Sequence, residues 1–326
     1  MPTGEYRPAV SIGNFFQNGY FCALIDKKMI QAHYGEFAAL LVALFWTITA
    51  LSFEFASIRV GSLAVNIIRL VIGFLFLSTF TLFHRGLFFP SDAGMQNWIW
   101  LSLSGLIGFV MGDYFLFHSY VIVGSWFSML VMTLAPALAA LFGWIILGET
   151  MDIKNTTALL LTMGGIVLAM FGKGNGQEKL TLNKPVRGII YAFLGALGQG
   201  LGIVLSKKGI EGYNAFAGTQ IRIITAIIGF SIIISLTRKW PDIRQAFSHR
   251  AGMTGIFIGS FFGPFLGVSF SLLAVSYTKA GIASAIMATV PVLLIPPSII
   301  LFKRKITAQE ITGSIISIAG IILFFV

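Results

Sequence analysis

Cysteine is all but missing. Cys22 is the only one in 326 residues, which excludes an intrachain disulfide and any site built from several thiolates. Charge is scarce too, at 10% of residues, and histidine occurs four times. Motifs for nucleotide or phosphate chemistry are also lacking. The stretch "GALGQGLG" (195–202) has neither the spacing nor the strand context of a dinucleotide fingerprint, and "GKGNG" (172–176) has no Ser or Thr to complete a phosphate loop. No metal-ligand spacing and no hydrolase elbow stands out, so no cofactor is expected.

What the chain has instead is apolar surface: 56% hydrophobic residues, 36 glycines and a strongly positive mean hydropathy. A soluble protein would carry charged faces on its helices, whereas here the charges cluster between apolar runs of about 17 to 24 residues, long enough to cross a hydrocarbon core of about 30 Å. Ten such runs are expected, at about 37–53, 62–83, 98–121, 124–147, 153–171, 188–206, 214–237, 252–277, 281–302 and 308–326. The expected fold is an all-α polytopic membrane protein. Little chain is left over outside the linker "GKGNGQEKLTLNKPVR" (172–187), the loops near Pro90 and Pro241, and an N-terminal extension over 1–33. That extension lacks the basic start, apolar centre and cleavage site of a signal peptide, and Met29 is a candidate alternative start.

The ten runs are two copies of five. A shift of 153 lays Gly35 on Gly188, Ile68 on Ile221 and Arg69 ("NIIRLVIG") on Arg222 ("TQIRIITA"). From the third run on, a shift of 155 lays Gly108 on Gly263, Gly112 on Gly267, Pro136 on Pro291 and Gly165 on Gly320. The copies occupy 34–171 and 188–326. Because five is odd, the second copy enters from the opposite side of the membrane, which makes the repeats inverted. Gly255, Gly259, Gly263 and Gly267 form a small-residue ridge at four-residue spacing, repeated by Ser104, Gly108 and Gly112. Such ridges let helix backbones approach closely, either as fixed packing or as a sliding surface.

An arginine early in the second span of each copy, with a proline in the fourth ("TLAPALAALFGWIILGET") and its counterpart ("TVPVLLIPPSIILFKRK"), resembles the EamA-type permeases of the drug/metabolite transporter superfamily over about residues 35 to 326. The resemblance implies a substrate path between the halves and export of small organic molecules such as amino acids. One departure is that the "LGE" ending the fourth span becomes "FKR" after the ninth, so any role for Glu149 is not doubled.

Candidate site residues follow from depth and from asymmetry between the copies. Arg69 and Arg222 recur in both copies, which suits a structural role at a helix end or on neighbouring carbonyls, or contact with an anionic substrate group. Asp113 and Glu54 occur in one copy only, aligning with Val268 and Lys207, so a shared scaffold does not explain them. Asp113 lies about 22 Å into its span on a face with Gly105, Phe109, Phe117 and Tyr120; it is read either as a structural partner of an arginine or as a proton or substrate site. Glu54 is nearer a helix end and reads as a solvated or a coupling carboxylate. His118 falls about 140° round the helix from Asp113, so the two do not face one another. Trp46 and its counterpart Gln199 lie mid-span, where each is read as packing or helix-to-helix bonding, or as substrate contact.

Lys and Arg number twelve on the linker side and eight on the N-terminal side, so the positive-inside rule places both termini outside, while the family resemblance implies the cytoplasm and is preferred. The expected function is a secondary transporter in the cell inner membrane. Its expected partners are a small-molecule substrate, membrane lipids and protons, with no nucleic acid, in a monomer or homodimer. The alternatives are an integral-membrane enzyme on a lipid-soluble substrate and a non-transporting sensor or scaffold.

Overall fold

The structure, a computed structural model, describes residues 33–123, 128, 131–171, 185–293 and 307–325; among these the regular structure is helix joined by short turns, with no strand. Helix α1 spans Tyr34–Val60 and α2 spans Ser62–Arg85. The single residue between them, Gly61, has φ +82°, a conformation that a side chain would strain. Helix α3 runs as an α-helix over Met95–Ser104, a π-helix over Gly105–Asp113 and an α-helix again over Tyr114–Val123. Helices α4 (Ala135–Leu147) and α5 (Ile153–Phe171) complete the first copy.

The second copy follows the same plan. Helix α6 covers Val186–Gly209 and α7 covers Ala215–Thr237, the latter started by Asn214, whose side chain accepts from the backbone N–H of Phe216 and Ala217. After a short helix over Trp240–Ala246, α8 is built in three parts like α3: α over Arg250–Ser260, π over Phe261–Gly267, α over Val268–Tyr277. Helix α9 is described over Ala280–Met287 and Val290–Leu293, and α10 over Ala308–Phe325.

Seven of the described helices are long and apolar enough to cross a membrane, Ala135–Leu147 and Ile153–Ala169 are shorter apolar helical stretches, and α9 is described only in part. The fourth run is shorter than its apolar stretch because the helix is interrupted by a turn at Thr133 and Leu134 and restarts at Ala135 with Pro136 second. The ninth breaks in the same register, at Ala288 and Thr289 before Pro291. A proline has no N–H to continue the ladder and its ring crowds the carbonyl four residues earlier, which fits a helix start far better than a helix interior.

Helix α1 packs against α8 and α9, and α6 packs against α3 and α4; α2 meets α7, and α5 meets α10. Exchanging the copies maps this set onto itself. The glycine ridges occupy these crossings. A Cβ on Gly259 would stand 2.3 Å from the Phe53 ring, and one on Gly263 would stand 2.8 Å from Thr49 Cγ2, both on α1. On the other side, a Cβ on Gly198 or Gly202 of α6 would come within 2.8 Å of the Gly112 or Gly108 Cα. Large apolar side chains such as Leu75, Phe83, Trp144, Leu160, Leu236 and Ile322 point outward, a surface that lipid solvates and water does not.

Candidate functional site

Seven of the residues singled out from the sequence line one central cavity of about 310 Å3: Trp46, Arg69, Asp113, Pro136, Gln199, Arg222 and Gly263. They come from seven helices of both copies, each well inside its helix except Pro136, the second residue of α4. Arg69 follows the start of α2 by seven residues, about 10 Å at 1.5 Å per residue. The helix breaks open onto the same space, with Met132 and Thr133 on one side and Met287 and Ala288 on the other. The π-helical segments add Phe109, Asp113, Gly263 and Pro264, and π-helix often marks functional positions because its extra residue per turn re-aims side chains.

Asp113 and Arg69 form an ion pair in which the guanidinium Nη2 donates to the carboxylate Oδ2. The other carboxylate oxygen accepts from Gln199 Nε2 at 3.0 Å, and the same amide reaches the carbonyl of Gly108 at 3.2 Å. Three helices, α2, α3 and α6, are joined at this one carboxylate. The guanidinium of Arg69 binds a carboxylate rather than a helix end or a carbonyl, and that carboxylate is Asp113, for which an arginine partner was one of the two expectations. Residues 113 and 69 are 44 apart and carry no mutual signal beyond their depth, so the sequence allowed an arginine partner for Asp113 without saying which arginine. His118 is exposed and bonds through Nδ1 to the carbonyl of its own turn, Tyr114, at 2.9 Å.

Arg222 stands differently. It is 5% exposed, lines the cavity with its Cζ 4.7 Å above the Phe109 ring, and its Nε has no hydrogen-bond partner among the described residues. Gly105 and Gly108 make room for it: a Cβ on Gly105 would lie 2.5 Å from the Arg222 carbonyl oxygen, and one on Gly108 would lie 3.4 Å from its Nη2. Gly112, Gly259 and Gly267 serve the crossings, a Cβ on Gly267 falling 2.6 Å from Trp46 Nε1. The side chains of Glu54, Tyr120 and Pro291 lie outside the described residues, so their sequence-based roles remain expectations.

A second polar cluster lies at the end of the bundle where α1 begins. Glu149 accepts from Lys207 Nζ at 2.5 Å and from the N–H of Ala280 at 2.9 Å, Lys207 also donates to the Thr278 carbonyl at 2.6 Å, and the Thr278 hydroxyl donates to Glu36 at 2.6 Å. Nearby, Lys279 donates to the Thr150 carbonyl, Asn97 donates to the Gly209 carbonyl at 2.8 Å, and the Tyr213 hydroxyl donates to Asp92 at 3.0 Å. Burial pushes the Tyr213 phenol up to about 12, so it stays protonated and a donor at neutral pH. Each of these bonds except the one from Lys207 to Thr278 links a residue of one copy to a residue of the other. The sequence offered only the asymmetry between Glu149 and "FKR" as a hint.

The model of the EamA-like transporter family matches residues 33–171 and matches again over 186–326. The chain belongs to the EamA-like transporter family. Among its relatives, an uncharacterized transporter of Archaeoglobus fulgidus is 27% identical over 126 residues, a stretch covering 38% of this chain and 42% of the relative. The match therefore spans less than half the length of that relative. A chain of known crystal structure is 16% identical and superposes with a TM-score of 0.69 over 90% of this chain and 96% of that one, which shows a shared fold alone. As a member of the EamA-like transporter family with seven described helices long and apolar enough to cross a membrane, the chain is a multi-pass membrane protein, and its family is one of transporters.

Proposed function

We propose that this chain is a secondary transporter that exports small polar or amphipathic metabolites, amino-acid-like in size, across a cell inner membrane by alternating access between two inverted five-span copies. The observation that carries the reading is a cavity lined by both copies, with ionisable side chains from α2, α3 and α7 and two interrupted helices opening onto it. Irregular backbone deep in a membrane is tolerated where it lines such a cavity, and intramembrane charge is costly enough to be rare without a role. The bonds from Glu149, Glu36, Asp92 and Asn97 to the opposite copy support a state closed at one end. Opening there requires them to break, while the glycine crossings let the copies move against each other.

Asp113 is the coupling residue in this reading. A proton placed on its carboxylate releases Arg69, so proton and substrate alternate at this site in the cycle. The test is flux into and out of liposomes holding purified protein, screened across amino acids and other small organics with and without a pH gradient. Transport of at least one solute above protein-free liposomes is expected; none across the screen defeats the transporter reading. With a transported solute in hand, Asp113→Asn is expected to abolish accumulation driven by a pH gradient while solute-for-solute exchange persists. Undiminished accumulation would remove Asp113 as the coupling site.

A further inference from the structure

The ionisable side chains among the described lining residues are Arg69, Asp113 and Arg222. Two of them cancel: Arg69 and Asp113 are joined, and Gln199 occupies the remaining carboxylate oxygen. That leaves one positive charge, Arg222, in a space whose other walls include Trp46, Leu70, Phe109, Leu116, Ile203 and Val268. A guanidinium does not lose its proton in a protein, and Arg222, which feels the Asp113 charge at a distance but forms no ion pair or hydrogen bond with it among the described residues, keeps its donors for an anion, because a buried charge is stabilised best by a directly bonded partner.

The repeat shows where an internal partner would have been. The shift that lays Gly108 on Gly263 lays Asp113 on Val268. Arg69 of α2 meets the carboxylate of α3 in its own copy; Arg222 of α7, its counterpart, lies over Phe109 of the first copy, and the position that would hold a carboxylate in its own copy is the apolar Val268, also at the cavity wall. The first copy supplies its arginine with an acid, and the second withholds it.

We infer that Arg222 is the anion-binding residue of the cavity and that the transported solute is a small organic anion: one carboxylate-type group on an apolar body. A substrate whose only charge is an ammonium finds no free carboxylate among the described lining residues, because Asp113 is engaged on both oxygens. A planar carboxylate suits the guanidinium fork, which can donate two parallel hydrogen bonds. Size follows from the volume: about 310 Å3 is at the small end of ligand pockets and holds about ten heavy atoms at the roughly 30 Å3 that one water molecule occupies in the liquid. The inference rests on the transporter reading for the word transported, but the binding claim stands or falls separately.

The experiment uses the full-length protein in nanodiscs and three probes with one body: 3-phenylpropionate, 3-phenylpropanol and 3-phenylpropylamine, with chloride as a fourth arm. Binding is followed by calorimetric titration and by the rise in thermal midpoint. The carboxylate is expected to bind at least tenfold tighter than the alcohol or the amine, and chloride is expected not to compete at equal concentration. Arg222→Gln should abolish that preference. Val268→Asp should abolish it too, by giving Arg222 an internal carboxylate, while Val268→Asn, of similar size, should keep it. Equal or better binding of the amine or alcohol, chloride competing as well as the carboxylate, no binding of the carboxylate, or a preference that survives Arg222→Gln would each overturn the inference. The wild-type comparison decides even if a variant fails to fold. Liposome flux of an amine without carboxylate binding would sink the anion site and leave the transporter reading intact; carboxylate binding with no flux of any solute would do the reverse.

Discussion

At the scale of single residues, the cavity is organised by what each charge can reach. Asp113 has a short stem and sits in the π-helical part of α3, yet Arg69 and Gln199 both arrive at it from other helices. Removing one member of a buried ion pair leaves the other uncompensated, at a cost of about 3–5 kcal/mol, whereas removing both is far less costly. Arg69→Gln and Asp113→Asn are therefore each expected to lower the thermal midpoint of the purified protein, and the double variant to lie well above the sum of the two losses. Additive losses in that cycle would show that the pair contributes no coupling energy.

At the scale of helices, the glycine crossings set how near the copies stand. Gly263 and Gly259 face α1, and Gly198 and Gly202 face the Gly108 and Gly112 ridge of α3. Without a hydrophobic effect between helices in lipid, close backbone packing is a main source of attraction, and a side chain at such a point removes it. Gly263→Leu is expected to reduce membrane yield or transport severalfold, because even its Cβ would be 2.8 Å from Thr49. Gly164, with nothing within 4 Å of a built Cβ, is the control: Gly164→Ala should change neither. Normal yield and transport from Gly263→Leu would show that the crossing with α1 yields without cost.

At the scale of the whole molecule, the two ends of the bundle differ among the described residues. The end where α1 begins is tied by the Glu149–Lys207 ion pair and its neighbours, and the other end shows between copies only the bond from Ser119 to the Gly188 carbonyl, at 3.0 Å. If transport needs the tied end to open, covalently holding it should stop the cycle. In a Cys22→Ser background, Glu149→Cys with Lys207→Cys, bridged by a short bifunctional thiol reagent, is expected to lose more than nine-tenths of liposome transport, with recovery when a cleavable bridge is cut. Transport that survives quantitative bridging would show that this end stays closed throughout the cycle.

The sequence alone determined the solvent, the repeat and the list of residues to watch. Apolar run length measures a bilayer directly, and the twin arginines and prolines survive as fixed offsets in a one-dimensional string. Hence Trp46, Arg69, Asp113, Gln199 and Arg222 could be named before any coordinates, and all five line the cavity. Only the tertiary structure decided how they divide the work. Whether Asp113 meets Arg69 or Arg222 depends on the register in which α2 and α7 pack on α3, and two π-helical segments shift that register from the 100° per residue assumed for a regular helix. The helix breaks at Thr133 and Ala288 are likewise cooperative, since a proline permits a restart but neighbouring helices must leave space for it. The Glu149–Lys207 pair joins residues on different copies, and a carboxylate and an ammonium 58 positions apart become partners only when the copies close on one another.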